Sequence, residues 1–170
     1  MRYQNDIMSK ILFSEVQKST PGAWIFFGLH LLCVPFMVFV QDSEALIALI
    51  ICSGTFALLG ALFLMMRLDT KITKEGISIK YAPFHRSFRT FLWKDVAKAD
   101  VIKKPIGAKG GVGIKYGLKS PNYHKMYNVW GNKRLQLLMT SGRTILIGTQ
   151  KVAEMEAALY KVGLISNHEH

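Results

Sequence analysis

The chain has 170 residues, half of them hydrophobic, with 22 Lys and Arg against 11 Asp and Glu and a formal charge of +11. That apolar content excludes an intrinsically disordered chain, and two cysteines exclude a disulfide-built scaffold. The positive surplus points toward anionic partners, a bilayer surface among them.

In residues 1–20, Ile7, Met8, Ile11, Leu12 and Val16 fall on one helical stripe, with Lys10 and Lys18 able to face headgroups. Residues 1–22 are therefore read as an N-terminal segment on the cytoplasmic side, either a short interfacial helix or a weakly ordered stretch. Ser19-Thr20-Pro21-Gly22 breaks the pattern, and Trp24 stands where an interfacial aromatic is favoured.

Two apolar runs follow, 23–40 and 45–66, with no Asp, Glu, Lys or Arg in either. About 18 such residues suffice to cross a hydrocarbon core about 30 Å thick as a helix. In lipid, helix is the form that satisfies the backbone of such a segment. Residues 23–66 thus predict a transmembrane hairpin; the alternative, a soluble hairpin buried all round, lacks apolar partners elsewhere in the chain. The cationic flanks decide its orientation. Arg2, Lys10 and Lys18 precede it, the loop 41–44 has none, and Arg67, Lys71, Lys74, Lys80 and Arg86 follow. Both termini are expected in the cytoplasm of a cell membrane protein. Ser53, Ala57 and Ala61 repeat every four residues and predict a strip for close helix packing, within the hairpin or between copies. Pro35 predicts a kink. His30, the one ionisable group inside the spans, is expected as a neutral imidazole bonded to Ser53, Thr55 or a carbonyl. Cys33 and Cys52 are read as small buried hydrophobes.

Residues 67–166 have the size of one domain, followed by a disordered tail at 167–170. The 104 residues from Arg67 carry 19 Lys and Arg against 7 Asp and Glu, so the net positive charge lies there. Strand patterns occupy 70–73, 76–81, 87–93, 97–103, 113–118, 125–130, 134–139 and 144–147, with turns at Lys74-Glu75-Gly76, Gly131-Asn132 and Ser141-Gly142. Residues 104–113 read as a glycine-rich loop. Val152, Met155, Leu159 and Val162 then change the period to a helix of about twelve residues, with Thr149 as N-cap and Gly163 beyond its end. The fold class is α+β: a helical hairpin, then a bent barrel or sandwich of about seven strands closed by a C-terminal helix.

Leu68-Asp69-Thr70-Lys71-Ile72, Glu75-Gly76-Ile77 and Trp93-Lys94-Asp95-Val96, with Tyr127-Asn128-Val129-Trp130-Gly131 and Ile147-Gly148-Thr149-Gln150-Lys151, complete a pattern. Over roughly residues 23–163 it resembles bacterial two-helix membrane proteins with a pleckstrin-homology-like (PH-like) domain. The resemblance implies a seven-stranded bent barrel capped by a helix, and a groove between an edge strand and that helix. It implies no particular activity.

The glycines at 107–117 lack the Gly-Lys-Ser/Thr and following helix of a phosphate-binding loop. His85, His124, His168 and His170 are scattered, and the acids form no paired or metal-binding motif, so an enzyme, a metal site and a cofactor are not expected. The basic groups Lys103, Lys104, Lys109, Lys115, Lys119, Lys125, Lys133 and Arg134 cluster in or beside loops of the second half. They are the expected contacts with anionic phospholipid headgroups; a merely solvated cationic face is the alternative. A protein partner or homo-oligomer, with Tyr116, Tyr123, Tyr127 and Trp130 as anchors, is the second functional reading. Nucleic acid is disfavoured, since no recognition motif accompanies the charge.

Overall fold

The computed structural model describes residues 11–103, 113–117 and 124–164 and divides into two units: residues 18–66, and residues up to Gln17 joined with those from Arg67 onward.

The first unit is the hairpin. Helix α1 is Thr20–Phe39, with Pro21 in its first turn and Pro35 in its interior; α2 is Ser43–Met65. Asp42 caps α2, its Oδ2 accepting the Ala45 amide at 2.8 Å. Both helices are long and apolar enough to cross a membrane. Their outer faces are bare: Val38 is 82% and Leu58 71% exposed. The inner faces meet at small residues. A Cβ on Gly60 would lie 3.0 Å from the Phe27 ring, and one on Gly22 would collide with Phe63. His30 Nδ1 lies 2.7 Å from Ser53 Oγ, as expected of an imidazole that finds its partner on the opposite helix. The packing strip differs from the expected one. Ser53 is buried and Ala57 half-buried, but Ala61 is exposed and Gly60 takes the contact. A strict four-residue step drifts around a helix of 3.6 residues per turn, so the third member leaves the interface.

The second unit holds nine strands among the described residues, two more than the seven of the PH-like expectation. Its first sheet contains β1 (Ile11–Lys18), β2 (Arg67–Thr73), β3 (Gly76–Ala82) and β4 (Arg89–Leu92), in that order. The second contains β5 (Val96–Lys103), β6 (Gly113–Tyr116), β7 (Lys125–Asn128), β8 (Lys133–Met139) and β9 (Thr144–Gly148), in the order β5-β8-β9-β7-β6. All pairs with a defined register are antiparallel except β7 with β9. The expected turns form. Thr73 Oγ1 accepts the amides of Glu75 and Gly76 at 3.3 Å, and Gly142 takes φ +76°. Leu68, Ile77, Ile79, Leu135, Leu137 and Ile147 fill the core with no solvent exposure, joined by Met155 and Leu159 of helix α3 (Val152–Lys161), which packs against β5.

Residues 11–18 overturn the interfacial-helix expectation: they are strand β1, the edge of the first sheet and part of the β-rich unit. Phe13, Glu15 and Gln17 are buried and Ser14, Val16 and Lys18 exposed, a period of two. Two of the three buried side chains are polar, so apolar periodicity pointed to the wrong element. They are buried because they are bonded. Gln17 Nε2 donates to the Gly148 carbonyl at 2.7 Å. Glu15 Oε2 accepts from Thr149 Oγ1 at 2.8 Å, and Glu15 Oε1 accepts the Gln150 amide at 2.7 Å. β1 thereby ties the first sheet to the end of β9 in the second. The helix cap is corrected too: Thr149 serves Glu15, and the residue at the N-cap of α3 is Lys151.

The hairpin is thus an insertion in the β-rich unit, leaving after β1 and returning at β2, two neighbours in one sheet. Its own ends are tied by Ser19 N–H to the Met66 carbonyl at 3.2 Å.

Candidate anion-binding site

The sheets leave β4 and β6 as edge strands, and between them lies a cleft of about 440 Å³. Strand alternation puts Lys125 and Tyr127 of β7 on one face. Register sets Tyr116 of β6 opposite Lys125 on one side and Ile145 of β9 on the other. Phe91, Tyr127 and Ile145 contribute apolar surface, and Arg89, His124 and Arg143 join Lys125 in lining it.

Lys125 Nζ sits 4.6 Å from the centre of the Tyr116 ring and 5.2 Å from that of Tyr127. Burial disfavours its ammonium, but the two tyrosine hydroxyls outweigh burial and raise its pKa. The Tyr116 hydroxyl, beside the Lys125 ammonium and further within the field of Arg89, has its pKa lowered. The site therefore favours negative charge on what it touches. Arg89 and Arg143 are exposed, and among the described residues neither guanidinium has an ion-pair partner. Among the described residues no carboxylate lines the cleft.

Two histidines are pinned at its margin by the same device. The His124 amide donates to the Thr144 carbonyl at 2.8 Å while its Nδ1 accepts the Thr144 amide at 3.1 Å. The His85 amide donates to the Tyr81 carbonyl at 2.7 Å while its Nδ1 accepts the Tyr81 amide at 3.3 Å. An accepting Nδ1 places the proton of a neutral imidazole on Nε2. The His85 ring stands edge-on to Tyr127, centroids 5.6 Å apart. Burial, then the charges of Arg89 and Lys125, lower its pKa. Behind it Tyr81, which donates to the Asn128 carbonyl at 3.3 Å, is pushed up to about 12 by burial.

Of the expected basic contacts that lie among the described residues, Lys125 is the one that lines the cleft. Lys115 is half-buried on β6, its side chain alternating away from that of Tyr116. Lys133 is exposed and pairs in register with Lys103 at the opposite edge of the sheet. Lys104, Lys109 and Lys119 lie outside the described residues, as does Tyr123. Arg134 corrects the expectation: it is 2% exposed, enclosed on β8 between β5 and β9, so its guanidinium belongs to the interior. Arg89, His124 and Arg143 were missed. They are far apart in sequence: Arg89 opens β4, and His124 and Arg143 stand just before β7 and β9, which only the sheet order brings together. Tyr116 and Tyr127 were legible as aromatic anchors, but the cation held between them was not. No family model, curated protein or solved structure matches the chain.

Proposed function

We propose that this is a non-enzymatic cell membrane protein: its hairpin anchors a PH-like domain on the cytoplasmic leaflet, where the cleft binds anionic lipid headgroups. The observation that carries the reading is the pair of guanidiniums without ion-pair partners among the described residues. They line one cleft with an aromatic-held lysine and apolar side chains, and among the described residues no carboxylate joins them. Two sheets followed by a helix support the PH-like assignment, with β6 and β7 as an added hairpin between β5 and β8. The charge count 3, 0, 5 around the spans supports the cytoplasmic orientation. Each cation close to an anionic leaflet contributes about 1 kcal/mol, and tethering supplies a high local lipid concentration.

Co-purification from membranes in mild detergent tests this, with lipids and proteins both identified. Wild-type chain should carry anionic phospholipid above its share of the membrane, and the Arg89→Gln/Arg143→Gln double variant should lose that excess. Equal lipid profiles, or a stoichiometric protein partner in place of lipid, would overturn it.

A further inference from the structure

The donors in the cleft outnumber what a phosphodiester can satisfy. Arg89 and Arg143 each offer a planar fork of N–H groups, and among the described residues neither is committed to an ion pair. His124 adds a third donor, because the Thr144 amide occupies Nδ1 and leaves the proton on Nε2. Lys125 adds a third fixed positive charge, held in place by Tyr116 and Tyr127. A phosphodiester brings one negative charge and two non-ester oxygens. A phosphate monoester brings three such oxygens and a charge of about −1.5 to −2 near pH 7. Against three cations and, among the described residues, no lining carboxylate, the monoester neutralises more of the site and brings one more oxygen to its donors.

We propose that the cleft selects a terminal phosphate monoester over a phosphodiester, the monoester being carried by a bilayer lipid of the phosphatidic acid type. This rests on the reading of the cleft as a lipid-headgroup site. The apolar surface of Phe91 and Ile145 favours a lipid source, since it offers cover for the first acyl carbons of a lipid and nothing to a water-soluble glycerol phosphate.

The test is calorimetric titration of the full chain in neutral detergent with three probes: dihexanoyl phosphatidic acid, dihexanoyl phosphatidylglycerol and glycerol 3-phosphate. At pH 7.5 phosphatidic acid should bind about tenfold more tightly than phosphatidylglycerol, the equivalent of one additional charge-assisted hydrogen bond. The ratio should shrink toward one as pH falls below about 6, where the monoester loses its second charge. His124, Lys125, Tyr116, Arg89 and Arg143 line the cleft and face both lipids, so the ratio compares two ligands on one and the same lining. Arg89→Gln and Arg143→Gln, both at exposed positions, should each abolish the preference with the thermal transition unchanged. Equal affinity for the two lipids would overturn monoester selection and leave anionic-lipid binding standing. Binding of neither lipid would overturn both. Glycerol 3-phosphate binding as tightly as phosphatidic acid would overturn the lipid source.

Discussion

Replacing Glu15 by Ala tests whether β1 is part of the β-rich unit or a loose lead-in to the hairpin. The carboxylate is 4% exposed and takes two short hydrogen bonds, from Thr149 Oγ1 at 2.8 Å and the Gln150 amide at 2.7 Å. Hydrogen bonds to a charged group contribute about 1.5–3 kcal/mol each, and a buried donor left unmatched costs about 1–3 kcal/mol. Thr149 is 1% exposed and would lose its acceptor, whereas Gln150 is exposed and its amide can turn to water. Relief from keeping a carboxylate buried offsets part of the loss. The net is about 3 kcal/mol, which for a unit of this size lowers the melting temperature by roughly 10 °C. Glu15→Gln keeps an acceptor for Gln150 and should cost about 1 kcal/mol. Val16→Ala, on the exposed face of the same strand, should stay within about 0.5 kcal/mol. Near-UV circular dichroism melts of the full chain in neutral detergent follow the β-rich unit's tertiary packing. If Glu15→Ala melted no lower than Val16→Ala, the docking of β1 would be refuted.

Arg134→Ala should destabilise the β-rich unit by about 3 kcal/mol in the same melts while leaving lipid selectivity intact, and Lys133→Ala should change neither. Because His85 has a lowered pKa, the unfolded chain takes up its proton at higher pH than the folded one. Its contribution is therefore complete above the unfolded value of about 6.5 and is lost as pH falls toward the folded value. Urea unfolding between pH 8 and pH 5 should show that loss, and His85→Gln should flatten it. In a spectrophotometric titration Tyr81 should ionise near 12, a step removed by Tyr81→Phe, while Tyr116 should ionise below the ordinary tyrosine value. Tyr81 correspondingly stabilises the fold below pH 10, a contribution lost as pH rises toward 12. In the hairpin, Gly60→Leu should drive α1 and α2 apart against Phe27, whereas Ala61→Leu should be tolerated; disulfide trapping between cysteines placed on the facing helices reads the difference.

The hairpin and eight of the nine strands were legible because each has an unbroken chemical period: uncharged apolar runs over 23–66, and alternation or turn residues thereafter. β1 was not, since its buried positions are Phe13, Glu15 and Gln17, and polar groups satisfied across more than a hundred residues leave no apolar trace. Thr149 misses its expected capping role because the helix starts later, with Lys151 at the N-cap, whose amide the Thr149 hydroxyl accepts at 3.1 Å. At the cleft, counting cations found Lys125 but mistook Arg134 for surface, because charge does not reveal which position of β8 lies inside. Arg89 and Arg143 were invisible for a further reason: β6 and β7, inserted between β5 and β8, create the sheet order that brings β9 and β7 toward the edge facing β4. A fragment beginning at Arg67, which the sequence alone suggests as the soluble domain, would lack β1 and expose the edge of β2.

The most direct test uses single cysteines in a Cys33→Ala/Cys52→Ala background, probed with a membrane-impermeant maleimide. Ser14→Cys lies on β1, Lys98→Cys on β5 and Gln41→Cys in the hairpin loop, all at exposed positions. Positions 14 and 98 should be shielded in intact cells and labelled in inverted vesicles, and position 41 should show the reverse. Labelling of position 41 from the same side as the other two, or recovery of the folded chain from the soluble fraction, would contradict a membrane hairpin inserted into a domain of the inner leaflet.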